Sequence, residues 1–169
     1  MPRYDLPHAA PEPLRVVQRL VNTTDRQHGR EWLASPEDVA AVIGRDLADV
    51  DIERVRKLRE ALRRLLLMNN GEPVDAEAVT MFNAVATQLE LRLDDAGKLD
   101  VASADGLGRV VAIAVGAMLD GTWLRLKACR NCAWAFYDYS KNRSAVWCSM
   151  QLCGNRLKTH AYRSRKAAR

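Results

Sequence analysis

The feature that most constrains this chain is its set of four cysteines, which all fall in one short stretch near the C-terminus. They form a C-x2-C pair, Cys129 and Cys132, and a C-x4-C pair, Cys148 and Cys153, with fifteen residues between the pairs. Zn²⁺ prefers tetrahedral coordination, and two close thiolate pairs separated by a hairpin-sized loop can supply it. The spacing therefore predicts one structural zinc ion held by all four sulfurs.

Three other interpretations of these cysteines are two disulfides, a redox-active C-x-x-C pair and four buried thiols. Disulfides are rare in the cytoplasm, where we expect the protein because its first residues contain no apolar leader segment. A redox pair would open a helix, whereas aromatic, strand-like sequence follows Cys132. Four sulfur ligands leave no open position for water, so a catalytic zinc is disfavoured.

The positive charge of the chain is concentrated at the same end. The net charge is +5, but residues 124–169 contain eleven Lys and Arg against a single acid, Asp138. The preceding part is therefore acidic overall. Because neutralising phosphates releases condensed counterions, such a basic segment indicates a polyanionic partner, most simply DNA. A tail that only aids solubility would not need the cysteines and aromatic residues found here.

Hydrophobic periodicity predicts a mostly helical region before the cysteines. Its clearest helix, residues 51–68, has apolar residues on one face and Arg and Glu on the other. Ser35 and Pro36 form a helix start, because a hydroxyl can cap the first turn and proline fits its first position. The predicted helices cover residues 13–22, 36–44, 51–68, 75–86 and 106–119.

Period-two alternation predicts strands in two places. Residues 89–93 and 99–101 alternate on either side of a turn and indicate a β-hairpin, and a short strand around Leu126 leads into the first cysteine. The expected fold is α+β, with a loose N-terminus at residues 1–11, a mostly helical domain at 12–123 and a zinc module at 124–169. No apolar run is long enough to span a membrane.

Within the zinc module, the fifteen residues between the cysteine pairs are expected to form a hairpin. Trp134 and Phe136 would lie on its first strand and Val146 on its second, with a turn at residues 140–142. Cys153 would fall in the first turn of a final basic helix. This order of knuckle, hairpin and helix resembles a treble-clef finger. In so small a module, we expect Trp134, Phe136 and Trp147 to form the core rather than to stack on bases.

The string CGNR at residues 153–156 is distinctive. Together with the cysteine spacing and the Trp147–Met150 segment, it closely resembles the CGNR zinc-finger family. Members of that family usually carry an N-terminal ABATE domain and are described as candidate stress-induced transcription regulators. The segment Leu20–Thr23 resembles the F-V-N-T signature of the ABATE domain, and Ser35–Asp38 resembles the start of its second helix.

The resemblance implies a DNA-binding finger and an N-terminal domain that senses a signal, dimerises, or both. Gly154 would allow close backbone approach beside the metal. Arg156 would either contact DNA or brace the finger through Asp138 or a backbone carbonyl. The predicted nucleic-acid contacts are Asn155, Arg156, Lys158, His160, Arg163, Arg165 and Lys166.

Function is therefore expected to be DNA-binding transcription regulation, in the cytoplasm and at the nucleoid. Expected partners are DNA, a small-molecule or protein signal at the N-terminal domain, and a second copy in a homodimer. RNA binding and protein interaction are the alternatives for the zinc module. An enzyme is not expected, because the sequence contains no catalytic triad, phosphate-cradling loop or paired acids with a supporting motif.

Overall fold

The computed structural model describes residues 8–44, 51–103 and 105–155. It contains five α-helices in these ranges: α1 (Arg15–Val21), α2 (Pro36–Ile43), α3 (Ile52–Met68), α4 (Ala76–Ala86) and α5 (Gly106–Leu119). Six strands pair as three separate antiparallel hairpins: β1 (Thr24–Asp25) with β2 (Arg30–Glu31), β3 (Glu90–Leu93) with β4 (Leu99–Ala102), and β5 (Leu126–Ala128) with β6 (Ala135–Tyr137). The predicted α+β fold, mostly helical before the cysteines, is confirmed.

The helix starts follow local capping chemistry. Ser35 closes a capping box on α2, since its hydroxyl accepts from the Asp38 amide at 3.4 Å and the Asp38 carboxylate accepts from the Ser35 amide at 3.0 Å. Asp75 caps α4 by accepting from the Ala78 amide at 2.9 Å. These side chains occupy donors that the first helical turn leaves unpaired, and the predicted helix at Ser35–Pro36 is confirmed.

Helix α3 lies at the centre of the fold and packs against α1, α2, α4 and β5. Its apolar stripe is buried as predicted, including Leu58, Leu62 and Leu66. The prediction that its arginines face solvent is wrong for Arg59 and Arg63, which are also buried. Both arginines find fixed acceptors on neighbouring segments, and such pairing makes burial of a guanidinium tolerable.

Arg59 explains a hairpin that the sequence did not predict. Its guanidinium donates to both oxygens of Glu31 at 2.7 and 2.8 Å, which fixes β2 beside α3. Strand β1 pairs with β2 over two residues only, and the connecting turn contains Gly29 at φ +63°. Two such short strands give no alternation to detect in a polar segment.

One hydrophobic core extends through both parts of the chain. Leu126 and Ala128 of β5, with Ala135 and Tyr137 of β6, are buried in the same cluster as the apolar residues of α1, α3 and α5. The strands that lead into and out of the first cysteine pair are therefore packed on the helical part. Within the described residues, no helix combines the length and apolarity that crossing a membrane requires.

Candidate metal centre

The four cysteine sulfurs converge on one point, and their ligand atoms all lie within 4.8 Å of one another. The Sγ–Sγ distance is 3.6 Å from Cys132 to Cys148, 3.7 Å from Cys148 to Cys153 and 3.6 Å from Cys153 to Cys132. A tetrahedron with Zn–S bonds of about 2.3 Å has edges of about 3.8 Å. A disulfide would need about 2.05 Å. The donor set therefore fits a single zinc ion and no disulfide.

The thiols also perturb one another, as four sulfurs packed this closely must. Hydrogen bonds from Cys132 and Cys148 lower the pKa of Cys129 far below that of a free thiol. The hydrogen bond to Cys129 correspondingly raises the pKa of Cys132 to about 12, and that of Cys148 is raised further by its bonds to Cys129 and Cys132. Because four such close thiolates repel, only a central cation allows all of them to ionise. The four cysteines form one zinc site.

The first cysteine pair lies in the turn between β5 and β6. The Ala133 amide donates to the Cys129 carbonyl at 2.8 Å, and the Cys129 amide donates to the Trp134 carbonyl at 2.9 Å. Ala133 adopts φ +60°, which lets the chain reverse tightly around the metal. This turn aims Cys129 and Cys132 at the same point.

The predicted hairpin between the two cysteine pairs is wrong. Strand β6 pairs with β5, which precedes the first cysteine, with Ala128 opposite Ala135 and Lys127 opposite Phe136. Val146 lies outside any strand, although its carbonyl accepts from the Arg130 amide at 3.5 Å. The six residues 129–134 form a shorter loop than residues 138–145 would, so β5 is the nearer partner for β6.

Cys153 lies in a π-helical turn over Met150–Gly154, and Cys148 precedes that turn by two residues. The basic helix predicted to continue from Cys153 lies outside the described residues. Ser149 caps this turn: its hydroxyl accepts from the Leu152 amide at 3.3 Å and its carbonyl accepts from the Cys153 amide at 2.9 Å. A Cβ added to Gly154 would lie 3.3 Å from Trp147 Cδ1 and against the sulfur of Met150. The close approach expected of this glycine is confirmed.

A buried ion pair braces the loop between the two cysteine pairs. Lys127 Nζ donates to Asp138 Oδ2 at 2.8 Å and to the carbonyls of Arg143 and Ala145 at 2.5 and 3.1 Å. Asp138 also accepts from the amides of Ser140 and Ala145. Burial alone would raise the pKa of Asp138, but its hydrogen bonds with Lys127 and Ser140 outweigh burial and hold that pKa below its usual value. The pair fixes the loop that carries the chain from one cysteine pair to the other.

Two family models match the sequence, one over the helical part and one over the zinc module. Residues 14–122 match ABATE, described as "Putative stress-induced transcription regulator", and cover more than half of the chain. The chain belongs to the ABATE family. Residues 125–166 match the CGNR zinc finger. The family description is that of a regulator and so suggests a non-enzymatic role. Comparison with curated proteins gives no significant match.

The ABATE segment holds the CGNR finger through buried amide side chains. Asn22 bonds both backbone groups of Ala135 in β6: its Nδ2 donates to the carbonyl at 2.9 Å and its Oδ1 accepts from the amide at 2.7 Å. Gln18 Nε2 donates to the same carbonyl at 3.2 Å. Arg63 donates to the carbonyls of Ala133 and Val21 at 2.6 and 2.5 Å. The Asn22 and Gln18 contacts satisfy the backbone groups of Ala135 in β6, and Arg63 ties the preceding turn to the end of α1.

The end of helix α3 holds the other finger strand. Asn70 Nδ2 donates to the Ala128 carbonyl at 2.7 Å and to the Val146 carbonyl at 2.9 Å. Arg130 reaches back from the knuckle, and its Nε donates to the Asn70 carbonyl at 2.7 Å. Asn69 Nδ2 donates to the carbonyls of Trp123 and Leu126, both at 2.9 Å. Residues 69–71 therefore do more than end the helix, which was their only predicted role.

Several basic residues of the CGNR finger bond to other groups of the chain. Besides Lys127 and Arg130, Arg125 donates to the carbonyls of Asp138 and Ser140 at 2.9 and 3.0 Å. Lys141 and Arg143 are exposed on the loop. Part of the charge that the sequence assigns to a polyanionic partner is thus used to hold the finger together.

The predicted nucleic-acid contacts lie almost entirely outside the described residues. Asn155 is described and exposed, directly after the π-helical turn that contains Cys153. The remaining six predicted contacts fall in the last segment of the chain, beyond residue 155: Arg156, Lys158, His160, Arg163, Arg165 and Lys166.

The aromatic residues of the finger pack as a small core, as predicted. Phe136 is fully buried among the cysteines, and Trp134 and Trp147 pack half-buried against the same cluster. Trp134 also meets Trp32 of the ABATE segment edge to face, with ring centroids 6.4 Å apart. Among the finger rings in the described ranges, that of Tyr139 is the most exposed, and its hydroxyl donates to the Ala9 carbonyl at 2.7 Å.

Proposed function

We propose that this protein is a DNA-binding transcription regulator in which zinc holds the CGNR finger and the basic segment after Cys153 contacts DNA. The observation that carries the proposal is the adjacency of the fourth zinc ligand to that segment: six Lys and Arg follow within residues 156–169. A structural zinc fixes the position of Cys153, which directly precedes this segment in sequence. Phosphate neutralisation by such charges supplies most non-specific affinity for duplex DNA.

The packing of the finger on the helical part supports coupling between the two. Asn22, Arg63 and Asn70 bind the backbone of the finger, and β5 and β6 lie in the common core. A DNA-binding module that packs rigidly on a second domain can respond to a ligand of that domain, because a conformational change in one packed element shifts the other. The ABATE segment is accordingly the proposed site of the signal, whether a small molecule or a protein.

The aromatic packing favours duplex DNA over unpaired RNA. Proteins that read single strands stack bases on accessible aromatic faces. Here Phe136 is buried, Trp134 and Trp147 pack around it, and Tyr139 leans on Tyr137 with ring centroids 4.7 Å apart. A cytoplasmic protein that binds DNA in this way would lie with the nucleoid.

The test is duplex-DNA binding by the zinc-loaded protein over a series of salt concentrations. The double variant Arg165→Gln, Lys166→Gln should bind more weakly. Its slope of log affinity against log salt should be less negative by about 0.9 for each phosphate that it no longer neutralises. Its matched control, Arg54→Gln with Lys57→Gln, removes the same charge from the exposed face of α3 and should leave the slope unchanged.

Three results would contradict the proposal. Equal effects of the two double variants would mean that only net charge matters, and no salt-dependent binding at all would point to a protein-interaction module. Single-stranded RNA that competes better than duplex DNA would favour the RNA alternative. Cys153→Ser should abolish both zinc retention and DNA binding, whereas the Arg165 and Lys166 double variant should keep its zinc. Zinc content therefore distinguishes an unfolded finger from weakened phosphate binding.

A further inference from the structure

The β3–β4 hairpin presents an apolar face that the described residues leave uncovered. Leu91 is 68% exposed, Leu93 is 70% exposed and Leu99 is 49% exposed. Register places Leu91 opposite Val101 and Leu93 opposite Leu99, so these side chains share one face. Isolated two-stranded hairpins are marginally stable, and three or more strands with a common apolar face are far more favourable. This face and the adjacent strand edge are therefore suited to pairing with another strand.

The outer edge of β3 has open hydrogen-bonding groups at known positions. The Asp94 amide donates to the Lys98 carbonyl at 2.9 Å, which identifies that facing pair as hydrogen-bonded. Because hydrogen-bonded and non-bonded pairs alternate, Glu90 and Arg92 also direct their backbone groups toward β4. Leu91 and Leu93 direct theirs toward the opposite edge. In the part of the chain that the structure describes, β3 pairs with β4 alone.

Charge distinguishes the registers in which this edge pairs with its own copy about residues 90, 91 and 92. A pair centred on Leu93 would run past the end of β3 and place Leu91 opposite Asp95 in the turn. If Leu91 faces Leu91 of a second chain, Glu90 faces Arg92 twice across the two-fold axis, and Leu93 faces Leu89. Shifting the centre to Arg92 would place two arginines together and set Glu90 against Asp94. Shifting it to Glu90 would place two glutamates together. Opposite charges across strands stabilise a sheet and like charges destabilise it, by roughly 0.2–1 kcal/mol a pair.

We propose that the protein forms a homodimer by antiparallel self-pairing of β3, centred on Leu91. The result is a four-stranded sheet in the order β4-β3-β3-β4, with one continuous leucine-rich face. The backbone groups of Leu91 and Leu93 point to this edge, as a Leu91-centred antiparallel pair requires, and side-chain charge favours that centre over residues 90 and 92. This assembly uses a surface distinct from the zinc site and does not depend on DNA binding.

Two equally exposed leucines on the same strand provide a register-specific test. In the proposed dimer the two copies of residue 91 have Cα atoms about 5.5 Å apart, within the span of a disulfide. The two copies of residue 93 are offset by four residues, or about 14 Å. In a glutathione redox buffer with excess zinc, Leu91→Cys should form a cross-linked dimer, whereas Leu93→Cys should remain largely monomeric on a non-reducing gel.

Charge reversal supplies a second, independent test on the full-length protein. Sedimentation equilibrium of the native protein should show a monomer–dimer equilibrium. Arg92→Glu should weaken it at least fivefold, because every cross-strand ion pair becomes a like-charge pair. The swap Glu90→Arg with Arg92→Glu should restore association, since it recreates the complementary pattern. Circular dichroism checks that each variant is folded.

The outcomes that would overturn the proposal are equally concrete. A native protein that remains monomeric over the whole concentration series excludes the dimer. Equal cross-linking at positions 91 and 93, or failure of the charge swap to restore association, excludes this register. A variant that loses DNA binding but still dimerises would count against the proposed function alone, and a native protein that binds DNA as a monomer would count against the dimer alone.

Discussion

At the scale of single residues, the unexpected finding is how much of the structure depends on buried polar side chains. Asn22 belongs to a segment that resembles a family signature, and its role is to pair with the backbone of Ala135 across 113 positions of sequence. Buried amides and carbonyls must be paired, and here a side chain supplies what a third strand would otherwise provide.

Replacing Asn22 should therefore be costly. Asn22→Ala leaves the amide and carbonyl of Ala135 with fewer partners in a dry environment, and we expect about 1–3 kcal/mol of lost stability. The measurement is urea unfolding of the zinc-loaded protein. Asn83→Ala removes the same side chain from an exposed position on α4 and should change stability by less than about 0.5 kcal/mol. Equal effects of both changes would contradict this account.

Glu31 gives a prediction about pH. Burial works to raise its pKa, but hydrogen bonds from Arg59 and the Leu33 amide, with the charges of Arg59 and Arg56, hold that pKa below its ordinary value of 4.5. A carboxyl whose pKa is depressed on folding stabilises the protein above its unfolded pKa and loses that contribution as pH falls through the folded value.

The stability advantage of the native protein over Glu31→Gln should accordingly be full at neutral pH and should shrink as pH falls below about 4.5. Urea midpoints of both proteins, measured in parallel from pH 7 to about pH 3.5, give this difference free of effects common to both. Glu72→Gln removes one carboxylate from an exposed position and is the control for the change in net charge. A constant gap for Glu31→Gln at every pH would argue against an ionic role.

At the scale of elements, the zinc site depends on two short turns, one in the β5–β6 hairpin and one at Met150–Gly154. The Ser149 hydroxyl caps the second turn through the Leu152 amide. Groups that orient metal ligands typically contribute roughly 10- to 100-fold to metal affinity. We expect Ser149→Ala to weaken zinc binding by about tenfold in competition with a chromophoric chelator. Ser144→Ala, on the exposed loop, should bind zinc as the native protein does.

The elements also show what sequence could and could not predict. Long amphipathic helices and the four-cysteine site were predictable, because periodicity and ligand spacing are local. The partner of β6 was not, since the alternation around Phe136 is the same whichever strand it joins. Lys127 has the pattern of the polar half of an alternating strand, yet it is buried because Asp138 and two loop carbonyls surround its ammonium group. Nothing local distinguishes such a lysine from an exposed one.

At the scale of the whole molecule, the ABATE segment and the CGNR finger should behave as one cooperative unit. Removing zinc leaves β5 and β6 without their connecting turn, and these strands contribute to the core that the helices share. Removal of zinc with a chelator should therefore lower the urea midpoint of unfolding equally when it is followed by helical circular dichroism and by tryptophan fluorescence. Trp32 and Trp134 report on the contact between the ABATE segment and the finger. A chelator already saturated with zinc is the control. An unchanged helical transition beside a separate finger transition would show independent domains.

The Asn22 and Asn70 contacts also limit how this protein can be rearranged by recombination. Two segments that are adjacent in sequence, and matched by separate families, meet through side chains of one and backbone groups of the other. A finger transplanted from residue 124 onward would leave those backbone groups facing water or an unsuited surface. Such a finger can be exchanged between relatives only together with the ends of α1 and α3 that hold it. The finger and the ABATE segment should therefore be inherited together.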